Sequence, residues 1–215
     1  MIKYLYIILI FALFSSCHPV LMIYGTRNLK EISTKKITKL SRRLDMLPAD
    51  GFLLDSNYYS YLFSFDKSRQ DSTLTENKEL KQQIKNHYQP LQALYFNKNG
   101  KLVSYQINCY AGGFPNITWD RFGTLTTFPP KLQTPIDTLI SEPTLVSFLK
   151  PLPDSEEIIS GKHDYIVYLF WSRFMGRQNR RFIRFMQENA KLAKEKNIRL
   201  IYINIDNAFK TTDIL

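Results

Sequence analysis

Residues 164–206 read DYIVYLFWSRFMGRQNRRFIRFMQENAKLAKEKNIRLIYINID. Two near-continuous apolar runs, 165–171 and 198–205, bracket a stretch of mixed character. Runs without polar alternation are what strands buried on both faces require, and such strands belong to parallel sheets covered by helices. Between them, Phe182, Ile183, Phe185, Met186 and Ala190 supply the buried side of a helix running from Arg177 to Lys196. A helix of that length closes a right-handed crossover between neighbouring parallel strands. The stretch therefore specifies an α/β fold built on a βαβ unit.

Within that unit, Phe170-Trp171 end the first strand, a short loop follows, and Met175-Gly176-Arg177-Gln178 open the helix. The arrangement resembles the thioredoxin-like family, in which an apolar strand, a Trp and a Cys-x-x-Cys open the first long helix. The resemblance implies a thioredoxin-like sandwich, with Met175 and Gln178 at the positions of the two redox cysteines. Thiol–disulfide exchange needs a thiolate activated at a helix N-terminus and a second thiol to resolve it. Methionine has no ionisable sulfur and glutamine is no nucleophile. The expectation is the family's fold without its chemistry. The family also places a further hairpin, a cis-proline loop and a closing helix after this unit, whereas nine residues follow Asp206 here. The C-terminal βαβ unit is truncated in that sense. It either borrows strands from residues 91–140 or is a shortened descendant.

Outward from this unit, the clearest element is a hairpin. Leu91–Phe96 and Leu102–Ile107 flank Asn97-Lys98-Asn99-Gly100, where glycine suits a positive-φ turn position. Pro90, Leu94–Phe96 and Asn97–Gly100 also stand in the order of proline, strand and turn that thioredoxin-like proteins of bacterial envelopes often carry. Upstream, Val20–Tyr24 reads as a strand and residues 33–47 as a helix. Ser33 or Thr34 can cap that helix, with Ile37, Leu40, Leu44 and Leu47 at helical spacing. Gly51–Leu54 reads as a buried strand, Asn57–Phe65 as helix or strand, 66–76 as a loop and Glu76–His87 as a polar helix. This order is compatible with a second α/β, thioredoxin-like segment. Residues 108–143 are broken by Gly112, Gly113 and five prolines, with Trp119 and Phe122 expected to pin them to a core. Leu145–Leu149 reads as a helical turn. The chain divides into residues 1–16, 17–140 and 141–215.

Residues 1–17, MIKYLYIILIFALFSSC, place Lys3 before a short apolar stretch and Ser15-Ser16 before Cys17. A charged start, a short apolar region and small residues at a cleavage point mark a secretory signal. The cysteine after the small pair resembles the bacterial lipoprotein signal, which implies lipid on Cys17 and a mature chain beginning there. Phe14 departs from the leucine usual three residues earlier. An uncleaved anchor extending through Val20–Ile23 is the other reading, interrupted by Ser15, Ser16, His18 and Pro19. Both put the body outside the cytoplasm and beside a membrane, in the cell envelope and the periplasm.

The net charge of +10 then points to anionic lipid or an acidic protein rather than nucleic acid, or simply to a solvated surface. Arg177, Arg180, Arg181 and Arg184 crowd the first turns of the 177–196 helix, where the helix dipole attracts anions. They form either an anion or partner site or a solvated face. With Cys17 acylated, Cys109 alone remains, as a small buried hydrophobe or a reactive thiol. The histidines at 18, 87 and 163 lie far apart, no metal spacing occurs, no cofactor is implied and no catalytic set is legible. The sequence thus supports a membrane-anchored, redox-inactive binding or scaffolding module, including an accessory to a transport or secretion machine. The alternative is a thiol oxidoreductase or peroxidase-like enzyme using Cys109.

Overall fold

Strand β5, Tyr165–Trp171, is buried from Ile166 to Trp171, so both its faces need cover and both its edges need partners. The computed structural model describes residues 25–67, 78–113 and 116–211 and supplies both. On one edge β6, Ile198–Asn204, runs parallel, from Tyr165 opposite Ile198 to Trp171 opposite Asn204. On the other edge β2, Gln92–Asn97, runs antiparallel, from Gln92 opposite Phe170 to Asn97 opposite Tyr165. Strand β3, Leu102–Ile107, completes the hairpin with β2. Strand β1, Gly51–Leu54, lies parallel to β6, and β4, Leu149–Pro151, lies antiparallel to β1. The mixed sheet has the order β3-β2-β5-β6-β1-β4.

Seven α-helices accompany it among the described residues: α1 Thr34–Arg42, α2 Asn57–Lys67, α3 Lys78–His87, α4 Asn108–Ala111, α5 Glu142–Ser147, α6 Gly176–Lys191 and α7 Asp206–Thr211. The fold is α/β, as expected. The alternation of side chains along β5 divides the core. Ile166, Tyr168 and Phe170 join Tyr58, Leu62, Ile84, Leu145 and Ala208 in a cluster beneath α2, α3, α5 and α7. Val167, Leu169 and Trp171 join Ile37, Phe182, Ile183 and Met186 beneath α1 and α6.

The C-terminal βαβ unit does take strands from residues 91–140, namely the hairpin. Strands β1 and β2 are not neighbours, being separated by β6 and β5, so residues 51–107 make no sheet of their own. Helix α1 stops at Arg42, short of the expected 47. Asp45 turns left-handed at φ 56° and the Met46 N–H returns to the Ser41 carbonyl. Leu47, expected on the apolar stripe, is 65% exposed. The Asn57–Phe65 segment is helical. Trp119 is fully buried, but Phe122 is 86% exposed, with the Arg121 guanidinium over its ring at 4.8 Å. The helical turn expected at Leu145–Leu149 is the end of α5, which starts earlier and stops at Ser147, and Leu149 already opens β4. The expected strand at Val20–Tyr24 and most of the expected 66–76 loop lie outside the described residues.

Ile203 sits fully buried in the middle of β6. Ile203→Ala should lower unfolding free energy by about 3 kcal/mol in urea titrations. Ile203→Asp should abolish the cooperative transition by burying an unpaired charge.

Candidate functional site

The loop between β5 and α6 is held from below by one carboxylate. Because Trp171 pairs with Asn204 in parallel register, the chain leaving β6 emerges beside the chain leaving β5. Asp206, 1% exposed, there accepts the Ser172 hydroxyl at 2.7 Å, the Arg173 N–H at 2.8 Å, the Phe174 N–H at 3.3 Å and the Asn204 amide at 2.8 Å. The Ser172 oxygen also accepts from the Phe174 N–H at 3.0 Å. The buried Ser172 hydroxyl and Asn204 amide and the half-buried loop N–H groups are thereby satisfied.

The loop is also covered from above. Residues 25–32 cross it, the Arg27 N–H donating to the Phe174 carbonyl at 2.8 Å and the Arg173 guanidinium to the Asn28 carbonyl at 3.1 Å. Asn207 fixes the far end by exchanging two hydrogen bonds with the Ile32 backbone. Gly176 has φ +48° and ψ −118°, and a Cβ there would overlap the Gly25 carbonyl oxygen. Glycine is needed at this position both for its backbone conformation and for the close approach.

Met175 and Gln178 both turn inward, each 4% exposed. Met175 packs with Trp171 and Phe182 in the second cluster, and the Gln178 Oε1 accepts the Ile117 N–H at 3.3 Å. Neither the thiol chemistry nor the exposure that disulfide exchange demands exists at these two positions. Beside the covered loop, Leu29, Tyr88, Gln89, Pro90, Ser172, Phe174 and Phe209 line a mainly apolar pocket of about 230 Å³. Cys109 is exposed and donates its S–H to the Gln89 Oε1 at 2.8 Å, behind the pocket wall. Burial pushes its thiol above the ordinary value of 9.0, with Lys85 pulling the other way.

Of the four arginines, Arg180 and Arg184 are exposed, and Arg177 is exposed with its stem along Gly25. Arg181 is half-buried and donates to the Asn116 side chain. Helix α6 has neither a side-chain cap at Met175 nor an acid in its first turn. Cys17 lies outside the described residues.

One polar cluster was not legible in the sequence. Fully buried His87 places Nε2 3.0 Å from Asp137 Oδ1, and Nδ1 3.4 Å from the Tyr58 hydroxyl and 3.3 Å from that of Tyr105. Tyr105 donates to Gln92 at 2.7 Å. The residues resemble a proton relay, but they lie wholly within the first cluster's layer, where burial pushes both tyrosines well above their ordinary range. Their role is to satisfy one another between α2, α3 and β3. Fifty residues separate His87 from Asp137, so no local spacing betrays the pair.

Among the described residues no group of three His, Cys, Asp or Glu side chains can hold a metal ion. No described helix is long and apolar enough to cross a membrane. Compared with known proteins, the chain matches no family model, no curated protein and no solved structure.

Asp206→Ala would orphan two buried donors, the Ser172 hydroxyl and the Asn204 amide, each costing about 1–3 kcal/mol, and the half-buried Arg173 N–H. A total loss of about 3 kcal/mol or more in chemical denaturation, with early hydrogen exchange at Arg173 and Phe174, is the expected result. Cys109 should react with iodoacetamide more slowly than free cysteine at pH 7.5. Its rate should still climb above pH 9, because a raised thiol pKa leaves less thiolate at neutral pH.

Proposed function

We propose that this protein is a lipid-anchored module of the bacterial cell envelope, with a redox-inactive, thioredoxin-like body outside the cytoplasm that binds a partner instead of exchanging disulfides. The observation that carries the reading is the state of Met175 and Gln178. Both motif positions lack thiols and both are buried, beneath a loop pinned by Asp206 and crossed by residues 25–32.

The thioredoxin-like reading is supported by the hairpin of β2 and β3. It pairs with β5 from earlier in the chain, where the family supplies a hairpin later. The pocket beside the loop suits binding. Its walls are Leu29, Tyr88, Pro90, Phe174 and Phe209, with Gln89 and Ser172 as the polar residues and the Tyr88 hydroxyl donating to the Tyr59 carbonyl. A space of about 230 Å³ takes one or two apolar side chains of a peptide or a small apolar ligand. The anchor is supported by Ser15-Ser16-Cys17 after a short apolar stretch. Several acyl chains on Cys17 would hold the body firmly, where a single one holds weakly.

A single-thiol enzyme is the second reading, and the exposure of Cys109 favours it. Its raised thiol pKa and the lack of a resolving thiol among the described residues weigh against it.

Cys17→Ser should abolish acyl labelling in bacteria and leave an unprocessed precursor. Unchanged processing with no lipid label would remove the anchor from the proposal. In an insulin-reduction assay the protein should match the no-protein control, and a Cys109-dependent rate would favour the enzyme.

A further inference from the structure

The solvent side of one helical layer is cationic. Helix α1 carries Lys35, Lys36, Lys39 and Arg42 with no acid, and Arg43 follows as its C-cap. On α6, Arg177, Arg180 and Arg184 recur at three and four residues, so they form one stripe. The helix's one acid, Glu188, is paired with Lys191 at 2.7 Å. Both helices cover the second cluster, and the Gln187 amide donates to the Asp45 carbonyl at 3.0 Å, joining the chain just past α1 to α6. Exposed Arg27 and Lys30 add positive charge on the covering segment, offset in part by exposed Glu31, and Asp45 is an exposed acid at the junction of α1 and α6. The opposite layer carries fewer exposed cations among the described residues: α3 sets exposed Glu79 among Lys78, Lys81 and Lys85, α7 adds exposed Lys210, and the acids Glu142 and Asp206 are buried.

We propose that the face made by α1 and α6 is a docking surface for the anionic headgroups of a lipid bilayer, an inference that rests on the anchor reading above. Two observations favour lipid over an acidic protein. The charge is spread over two helices as a layer, which suits a plane of headgroups. The described chain also begins at this face, with Gly25 packed against Gly176 and the Arg177 side chain. From Gly25 back to Cys17 is eight residue steps, which span at most roughly 28 Å when fully extended. A tether that short keeps the cationic layer within reach of the bilayer holding the lipid. Each cation near such a surface is worth about fivefold in partitioning, fading beyond a Debye length of ~8 Å at physiological salt. Tyr88 and Phe209 line the pocket from the opposite layer, and contact through α1 and α6 leaves that wall open.

The test uses full-length, acylated protein in a Cys109→Ser background, reconstituted into vesicles of phosphatidylcholine alone or with phosphatidylglycerol. A dye is attached through Lys39→Cys on α1 or Lys85→Cys on α3, each losing one charge, and headgroup-linked quencher reports proximity. The Lys39→Cys dye should be quenched only on anionic vesicles, and roughly 0.5 M salt should release it. The Lys85→Cys dye should stay bright on both. Adding Arg180→Glu and Arg184→Glu, both exposed, should weaken the contact about a hundredfold or more while leaving Tm unchanged. Equal quenching at both positions, or none on anionic vesicles, overturns the proposal, and the second outcome assigns the face to an acidic protein. Failure of the wild type to float with neutral vesicles is a failure of the anchor reading alone. Salt-sensitive flotation with anionic vesicles would then still uphold the docking face.

Discussion

The ladder between β2 and β5 is the interaction on which the rest depends. The hairpin and the βαβ unit each specify themselves locally, but neither buries its apolar faces alone. Pairing Gln92 with Phe170 and Asn97 with Tyr165 joins them into one sheet. The register is tightly constrained, since a one-residue slip would exchange the two faces of every side chain. Ile166, Tyr168 and Phe170 would then trade layers with Val167, Leu169 and Trp171. The same register brings Pro90, just before β2, level with Ser172, just after β5, and so builds the pocket between them.

What was legible in the sequence followed from period and turn chemistry. The apolar runs at 165–171 and 198–205 announced parallel neighbours, and Gly100, at φ +69°, closed the hairpin turn. The end of α1 was hidden because a left-handed Asp45 breaks a pattern that composition alone continues. Phe122 was misplaced because an aromatic ring reads as core until its backbone, at φ 60°, turns it outward. At the site, a resemblance picked out Met175 and Gln178. Their cover by residues 25–32 had no signal, because that segment's backbone groups are held by Phe174, Arg173 and Asn207, which lie far along the chain. The His87–Asp137 pair depends wholly on tertiary contact.

Long irregular stretches pose a problem of their own, since their backbone groups lack ladders. Polar side chains on regular elements solve it. The Asn189 amide, on α6, donates to the Leu125 and Thr127 carbonyls. Arg199, on β6, pairs with Asp50 at 2.8 Å and donates to the carbonyls of Ala49, Glu156 and Glu157. Burial pushes the Asp50 carboxyl upward and Arg199 opposes that rise. Breaking such a buried pair from one side leaves an uncompensated charge, so its value lies in fixing which segments meet.

Both outer strands of the sheet are finished off. The outer edge of β3 is occupied: Thr134 donates to the Tyr105 carbonyl, Gln133 accepts the Ile107 N–H, and Gln106 reaches the Lys131 carbonyl. At the other end β4 is three residues long and combines exposed Lys150 with Pro151, which has no N–H to offer. An open strand edge is a template on which a second chain can add and growth can continue. Here neither edge of the described sheet offers one, so copies at high concentration can collide without polymerising through their sheets.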